Sequence, residues 1–166
     1  MGREDLGTNL QSRKTVRERR EASVWTKIHP IFALGQLLIF CVSLTLLGLY
    51  FLHVVPFSIV HVSVLVKMAF MAGAIVTGSL WERDVYGRWW FALQFIIEDV
   101  MTANVFLLHI AYVTVYYLAP ERTDLILSLL GVAYAVYGLN VAQYIVSHLR
   151  TQRMASQSAD LEEIAA

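Results

Sequence analysis

The chain has little of what soluble proteins carry in quantity. Charged residues make up 16% of its 166 positions, against roughly 25% in an average globular domain. A single cysteine, Cys41, excludes a disulfide framework and a cysteine-built metal site. The 13 basic and 13 acidic residues cancel, so no overall positive field would attract nucleic acid. Because 57% of the residues are apolar, a disordered chain is also excluded, which leaves a small membrane protein.

Charge is absent from long stretches of the chain. No Asp, Glu, Lys or Arg lies between Lys27 and Lys67. Four apolar runs reach the roughly 20 residues that cross a hydrocarbon core, at positions 31–55, 57–81, 89–118 and 125–149. None alternates as barrel strands do. The sequence therefore predicts an all-α membrane protein, a four-transmembrane-helix bundle over residues 28–150. A basic segment, 1–27, precedes it, and a polar tail, 151–166, is expected to fray.

Basic residues lie almost wholly on one side of the predicted spans. Eleven fall in the N-terminal segment, the loop between the second and third spans, and the tail, whereas Arg122 alone falls on the other side. Since cytoplasmic loops carry the excess of Lys and Arg, both termini are predicted to be cytoplasmic. The segment from Ser12 to Lys27 is predicted to lie as a basic helix on the anionic lipid surface.

Three charged side chains interrupt the predicted spans, Lys67 in the second and the adjacent pair Glu98 and Asp99 in the third. Each costs roughly 2.5–3.5 kcal/mol on insertion scales, so each needs a reason. A structural reason is an ion pair between Lys67 and one carboxylate; a functional reason is acid–base chemistry. Two neighbouring carboxylates cannot both ionise cheaply in a low dielectric, so at least one is expected to hold a proton at neutral pH.

Other polar residues extend the pattern along the third and fourth spans. One face of the third helix is predicted to carry Glu98, Thr102, His109, Tyr112 and Tyr116, with Asn104 nearly opposite. A stripe on the fourth helix contains Tyr137, Asn140, Gln143, Tyr144 and Ser147. At about 1.5 Å per residue, Glu98 lies ~13 Å from Trp89, in a layer near the cytoplasmic side. His109 lies farther away, where a hydrogen-bonded structural histidine is favoured over a ligand.

These polar positions occur in an order that resembles one family. Residues 76–87 read Val-Thr-Gly-Ser-Leu-Trp-Glu-Arg-Asp-Val-Tyr-Gly. They resemble the V-T-G-x-x-W-E-x-x-x-[FY]-G segment of the 3-vinyl (bacterio)chlorophyllide hydratases. Further matches are Val24-Trp25, Lys67, Phe91-Ala92, Glu98-Asp99-Val100, His109-x-Ala111-Tyr112 and Tyr134-Ala135-x-Tyr137-x-x-Asn140-x-x-Gln143. The resemblance covers about residues 20–150.

The resemblance implies a reaction, a location and partners. The reaction is addition of water to the 3-vinyl group of a chlorophyllide or bacteriochlorophyllide, which gives a 3-(1-hydroxyethyl) group during bacteriochlorophyll biosynthesis. The location is the inner membrane of a phototrophic bacterium. No cofactor of the protein's own is implied, since the substrate carries its magnesium. The implied partners are the pigment, water, the lipid bilayer and other enzymes of the same biosynthesis.

Hydration of a vinyl group needs a positioned acid, a held water and negative charge nearby. Glu98 is the expected acid, and Asp99, paired with Lys67, is the expected base or stabilising charge; the reverse assignment of the carboxylates stays open. The residues expected to bind substrate are Trp81, Glu82, His109, Tyr137, Asn140 and Gln143. His109 is also a candidate axial ligand to the substrate's magnesium.

Two other functions stay open at the level of sequence. A non-catalytic pigment-binding or assembly protein would use His109 as ligand and the carboxylates as structural groups, and its pigment would keep its 3-substituent. A proton-coupled transporter subunit would use Lys67, Glu98 and Asp99 as a relay. That class predicts internal repeats or broken helices, and the sequence shows neither.

Overall fold

The structure is a computed structural model that describes residues 16–89 and 96–165. Within those ranges it is helical and has no β-strand. Its long helices are α1 (Trp25–Phe51), α2 (Phe57–Tyr86), α3 (Ile96–Leu118) and α4 (Thr123–Ala165). The described residues form two units, which divide between Asp99 and Val100 within α3. Residues 16–22 are also helical, as predicted there; the rest of the predicted basic helix and the start of the third span include positions outside the described residues.

Each long helix contains a segment long and apolar enough to cross a membrane. The four predicted spans are therefore confirmed as helices, but their bounds differ. The first begins at Trp25 rather than residue 31 and ends at Phe51 rather than residue 55. The apolar part of α4 is Thr123–Val146. The helix then continues to Ala165, so the tail that was expected to fray is helical.

The end of α1 is set by a local backbone motif several residues before Pro56. His53 has a left-handed conformation, with φ of 58°. Its N–H donates to the carbonyl of Tyr50 at 2.9 Å, and the N–H of Val54 donates to that of Leu49 at 2.9 Å. These two bonds form a Schellman motif, which satisfies carbonyls that a helix end leaves without partners. Hydropathy cannot predict this end, because residues 52–55 are as apolar as the helix.

Within the first unit, α1 packs antiparallel against α2 through two reciprocal contacts. A Cβ atom on Gly35 of α1 would overlap the ring of Phe70 on α2. A Cβ atom on Gly73 of α2 would overlap the ring of Phe32 on α1. The two phenylalanine rings also contact each other, with centroids 6.0 Å apart. Glycine is thus required at both positions for the helices to approach this closely.

Polar and aromatic pairs continue this interface toward the α1–α2 loop. The hydroxyls of Ser43 and Ser63 lie 2.6 Å apart and are buried. Farther along, the rings of Tyr50 and Phe57 have centroids 5.1 Å apart. As positions advance along α1, their partners recede along α2, which is the register of an antiparallel helical hairpin.

Within the second unit, one face of α3 and one face of α4 are buried. The α3 face includes Val105, His109 and Tyr112. The α4 face carries buried residues at the helical spacing of three or four, namely Ile126, Leu130, Ala133, Tyr134 and Tyr137. Asn104 is exposed, which agrees with its predicted place opposite the polar face of α3.

Large apolar side chains are exposed along the spans. On α1, Ile31, Leu34 and Leu38 are between 61% and 68% exposed. Such a surface would be costly in water, where apolar area favours burial. On a helix of this length it is typical of contact with lipid.

Candidate active site

The acidic pair lies in the first turn of α3. Glu98 and Asp99 are both half-buried, and they are close enough to interact electrostatically. Trp89 lies outside the helix, and residues 90–95 are outside the described range. The predicted depth of Glu98 assumed a helix that begins at Trp89, and Trp89 is not helical in the structure. Two adjacent, half-buried carboxyl groups are one arrangement that can support acid–base chemistry.

Lys67 lies in the middle of α2 with no exposed surface. Its Nζ lies 4.8 Å from the centroid of the Phe40 ring on α1, which is a cation–π contact. Met71 and Ala74, one and two turns farther along α2, are buried on the same side. The structure thus buries the charged residue that sequence placed inside the second span. Its ion pair with Glu98 or Asp99 stays a prediction.

Trp81 uses its polar atom within the protein. Its indole Nε1–H donates to the hydroxyl of Thr26 on α1 at 3.0 Å. That hydroxyl donates to the carbonyl of Arg20 at 2.6 Å, and the Arg20 guanidinium lies 5.6 Å from the Trp81 ring centroid. Trp81 therefore connects the segment before α1 to the end of α2. If Trp81 contacts the substrate as predicted, it does so through the part of its ring that these contacts leave uncovered.

Other residues of the Val-Thr-Gly segment hold the start of α1. The hydroxyl of Thr77 lies 3.1 Å from Nδ1 of His29 and donates to the carbonyl of Gly73 at 2.8 Å. A Cβ atom on Gly78 would lie 3.2 Å from the His29 ring, so glycine makes room for the imidazole. His29, near one end of the predicted first span, carried no signal of this role. The sequence feature that indicated a helix contact was the spacing of Thr77, Gly78 and Trp81 on one face of α2.

Two carboxylates near the end of α2 have different surroundings. Asp84 accepts a hydrogen bond from the hydroxyl of Ser23 at 3.0 Å. Glu82 is buried, with 5% of its surface exposed. The alternative to a substrate role for Glu82 was a solvated charge at the helix end. The burial of Glu82 does not fit that alternative.

In the second unit, the predicted stripe on α4 is buried only in part. Tyr137 is buried and Asn140 is half-buried, and the Asn140 amide donates to the hydroxyl of Thr102 on α3 at 3.4 Å. Gln143 and Tyr144 are exposed. The side chain of Ser147 lies outside the described residues. Asn140 therefore bridges two helices, while Gln143 is accessible to a partner from outside.

His109 on α3 has no exposed surface. Its Nδ1 lies 2.7 Å from the carbonyl of Val105, and its ring stacks on Tyr134 with centroids 6.2 Å apart. Because a carbonyl only accepts, Nδ1 carries the proton. The hydrogen bond expected of a structural histidine is thus present. The same tautomer leaves Nε2 as the basic nitrogen, as in histidines that bind metals.

Sequence reasoning missed Gln36, the one amide side chain between Lys27 and Lys67. Gln36 lies in the middle of α1 and is 8% exposed. It makes no hydrogen bond with the residues that the structure describes. The signal was available, because a single Gln in a charge-free run of this length needs a partner in the membrane.

Together these features define a class: a multi-pass helical membrane protein with a buried lysine and a pair of adjacent carboxyl groups. A family model described as "2-vinyl bacteriochlorophyllide hydratase (BCHF)" matches residues 13–150. The chain belongs to this family.

Two relatives match most of the chain. A protein named 2-vinyl bacteriochlorophyllide hydratase from Rhodobacter capsulatus is 34% identical over 145 residues, which are 87% of this chain and 83% of the relative. One of the same name from Cereibacter sphaeroides is 33% identical over 143 residues, 86% of this chain and 88% of the relative. No solved structure shows significant similarity to this chain.

Proposed function

We infer that the protein is a hydro-lyase that adds water to the vinyl group of a bacteriochlorophyllide in bacteriochlorophyll biosynthesis. The observation that carries this inference is the family match over residues 13–150. The 2-vinyl group in the relatives' names is the 3-vinyl group of the resemblance, under an older numbering of the tetrapyrrole ring. Adjacent half-buried carboxyl groups at Glu98 and Asp99 support it, because hydration is acid–base chemistry.

The reaction divides into two transfers. A proton adds to the terminal vinyl carbon, and the oxygen of water adds to the carbon next to the ring, while positive charge is delocalised into the macrocycle. We assign the first transfer to Glu98 as acid. Asp99 then takes the proton that the attacking water loses, or stabilises the developing charge, and Lys67 is proposed to pair with it. The opposite assignment of the two carboxyl groups fits the same geometry.

The remaining predicted residues would hold the pigment. Gln143 is exposed and suits a polar group at the edge of the ring, whereas the Asn140 amide is already bonded to Thr102. Tyr137, Trp81 and Glu82 are proposed to contact the pigment as well. His109 would supply Nε2 to the substrate's magnesium only after its buried ring became accessible. The protein is proposed to need no cofactor of its own.

The proposed setting is the inner membrane of a phototrophic bacterium, with both termini in the cytoplasm. A flat, amphiphilic pigment would approach from that leaflet, with its carboxylate near Arg83 or Arg88, both of which are exposed. The Arg83 guanidinium lies 4.2 Å from the centroid of the Trp89 ring, which keeps it at this end of α2. Other enzymes of the same biosynthesis would be neighbours there.

The proposal is tested by incubating membranes that contain the protein with a 3-vinyl chlorophyllide. We expect the pigment to gain the mass of one water. Replacing Glu98→Gln should lower this hydration by about 100-fold or more, in the range of lost general acid catalysis. Asp99→Asn serves as the matched variant, because it changes the other carboxyl group by the same atoms.

Membrane insertion of each variant is checked by the yield of folded protein after solubilisation. Folded wild-type protein that binds the pigment and leaves its vinyl group unchanged would identify a pigment-binding protein instead. Wild-type turnover in Glu98→Gln, with loss in Asp99→Asn, would transfer the acid role to Asp99.

A further inference from the structure

The ammonium group of Lys67 lies in the middle of a membrane span and contacts an aromatic ring of the neighbouring helix. Its Nζ is 4.8 Å from the centroid of the Phe40 ring, within the roughly 6 Å over which the face of such a ring attracts a cation. Lys67 has no exposed surface. Because water does not reach this contact, the attraction is stronger than that of an exposed pair.

The packing of α1 on α2 fixes where the Phe40 ring lies. On one side of Phe40, Gly35 packs closely against an aromatic ring of α2. On the other side, the hydroxyls of Ser43 and Ser63 lie 2.6 Å apart and are buried. The contact between Phe40 and the lysine falls between these two in the same antiparallel register. The ring therefore cannot move along α2 without breaking contacts on both sides of it.

The rest of the Lys67 side chain is a long, flexible stem. Val64 and Met71, about one turn before and one turn after it on α2, have no exposed surface. They share its helix face, so this face is buried and largely apolar. Apolar neighbours pack against the carbon atoms of a stem but do not attract its charge. The face of the Phe40 ring does attract the charge, and it thereby restricts the position of Nζ.

A phenyl ring attracts a cation without supplying an oxygen or nitrogen acceptor. An ammonium group has three hydrogens to donate, so the ring contact is compatible with hydrogen bonds from Lys67 to other groups. In the proposed reaction, Lys67 pairs with Asp99. The energy of two charges depends on the distance between them, so the position of Nζ decides how strongly the lysine acts on that carboxylate.

We propose that Phe40 is a positioning residue for hydration, whose ring holds the Lys67 ammonium in place during the reaction. The proposal rests on the proposed hydratase function and on the role of Lys67 in it. Phe40 acts through the lysine and does not itself bind the pigment. Removal of the ring should therefore slow the chemical step and leave the binding of the pigment unchanged.

The test measures kcat and KM for hydration by the full-length protein in membranes, per amount of folded protein. Phe40→Leu removes the ring and keeps an apolar side chain. We expect kcat to fall about tenfold, with the KM for the pigment within about twofold of the wild type. Phe40→Tyr keeps the ring face and should keep kcat within about twofold. Phe40→Met is the second variant without a ring, for use where Phe40→Leu gives no folded protein, because methionine fills irregular space.

A double-mutant cycle separates action through the lysine from packing alone. Lys67→Met removes the ammonium, and we expect it to lower kcat by at least as much as Phe40→Leu does. In the Lys67→Met background, Phe40→Leu should then lower kcat by no more than about twofold. A ring that acts only by packing would lower kcat by the same factor in both backgrounds. Single-turnover reactions with excess enzyme measure the low rates.

Phe51→Leu is the matched control, because it is the same substitution on the same helix. The Phe51 side chain is 59% exposed, and its ring contacts that of Tyr50 at the end of α1, with centroids 5.5 Å apart. We expect its kcat and KM to equal those of the wild type.

The possible failures are distinct. An unchanged kcat in Phe40→Leu, or equal losses of kcat with and without Lys67, would overturn the positioning role of Phe40 and leave the hydratase function intact. A wild-type kcat in Lys67→Met would remove the lysine from the reaction, and Phe40 with it. Folded wild-type protein that never hydrates the pigment would overturn the proposed function itself.

Discussion

Among the described residues, two have a left-handed backbone, and they differ in side chain. Gly87 follows α2 with φ of 72°, and its N–H donates to the carbonyl of Arg83 at 2.9 Å. His53 has the same role after α1, with φ of 58°. Glycine adopts this conformation without steric cost, whereas a residue with a Cβ atom loses about 1–2 kcal/mol. Gly87 is therefore required by the backbone, and His53 is strained.

Opposite substitutions at these two positions should have opposite effects. We expect His53→Gly to raise the free energy of unfolding by about 0.5–1 kcal/mol, and Gly87→Ala to lower it by about 1 kcal/mol. Unfolding of the detergent-solubilised protein by heat or denaturant measures both. His53→Ala keeps the strain and is the control; a gain as large as that of His53→Gly would mean that the imidazole, and not the backbone, is the source.

At the scale of elements, the interface between α1 and α2 explains much of the family's motif. Thr77, Trp81 and Asp84 lie at helical spacing on α2 and bond His29, Thr26 and Ser23 in turn. These contacts hold the N-terminal end of α1 against the C-terminal end of α2. Trp81, which was predicted to bind substrate, thus also serves to position one helix on the other.

The close approach of these two helices can be tested at Gly73. We expect Gly73→Ala to lower the free energy of unfolding by about 1–3 kcal/mol, because the new methyl group overlaps the Phe32 ring. Gly48→Ala is the matched control in α1, since a Cβ atom there meets nothing within 4 Å. Its stability should be unchanged or higher by up to about 1 kcal/mol, the helix preference of alanine. Equal losses in both variants would contradict the interface as described.

At the scale of the whole molecule, hydropathy was sufficient to predict four helical spans. The cost of charge in lipid identified Lys67 as a residue that needs a reason to lie inside the span, and the structure buries it. Hydropathy could not predict where the helices end. The end of α1, for example, is set by backbone hydrogen bonds around His53, which lies within an apolar run. The burial of Gln36 was missed because it depends on how α1 packs in the folded protein, which the periodicity of one helix does not show.

Membrane topology is a prediction that the single cysteine makes simple to test. Cys41 lies within α1, so Cys41→Ala gives a background without thiols. In that background we expect Glu18→Cys to be protected from a membrane-impermeant maleimide in intact cells. Glu121→Cys, in the loop between α3 and α4, should react, since basic residues favour the cytoplasm. Both positions are exposed in the structure. The reverse pattern of labelling would place the termini outside.

The reciprocal contacts of Gly35 with Phe70 and Gly73 with Phe32 also restrict how a pigment can arrive. Because each ring sits over a glycine of the opposite helix, sliding α1 along α2 by one turn would drive both rings into side chains. The contacts therefore fix one register between α1 and α2. A broad, flat macrocycle is expected to approach the hairpin from its outer surface, because these contacts leave no gap for it between the two helices where the rings lie.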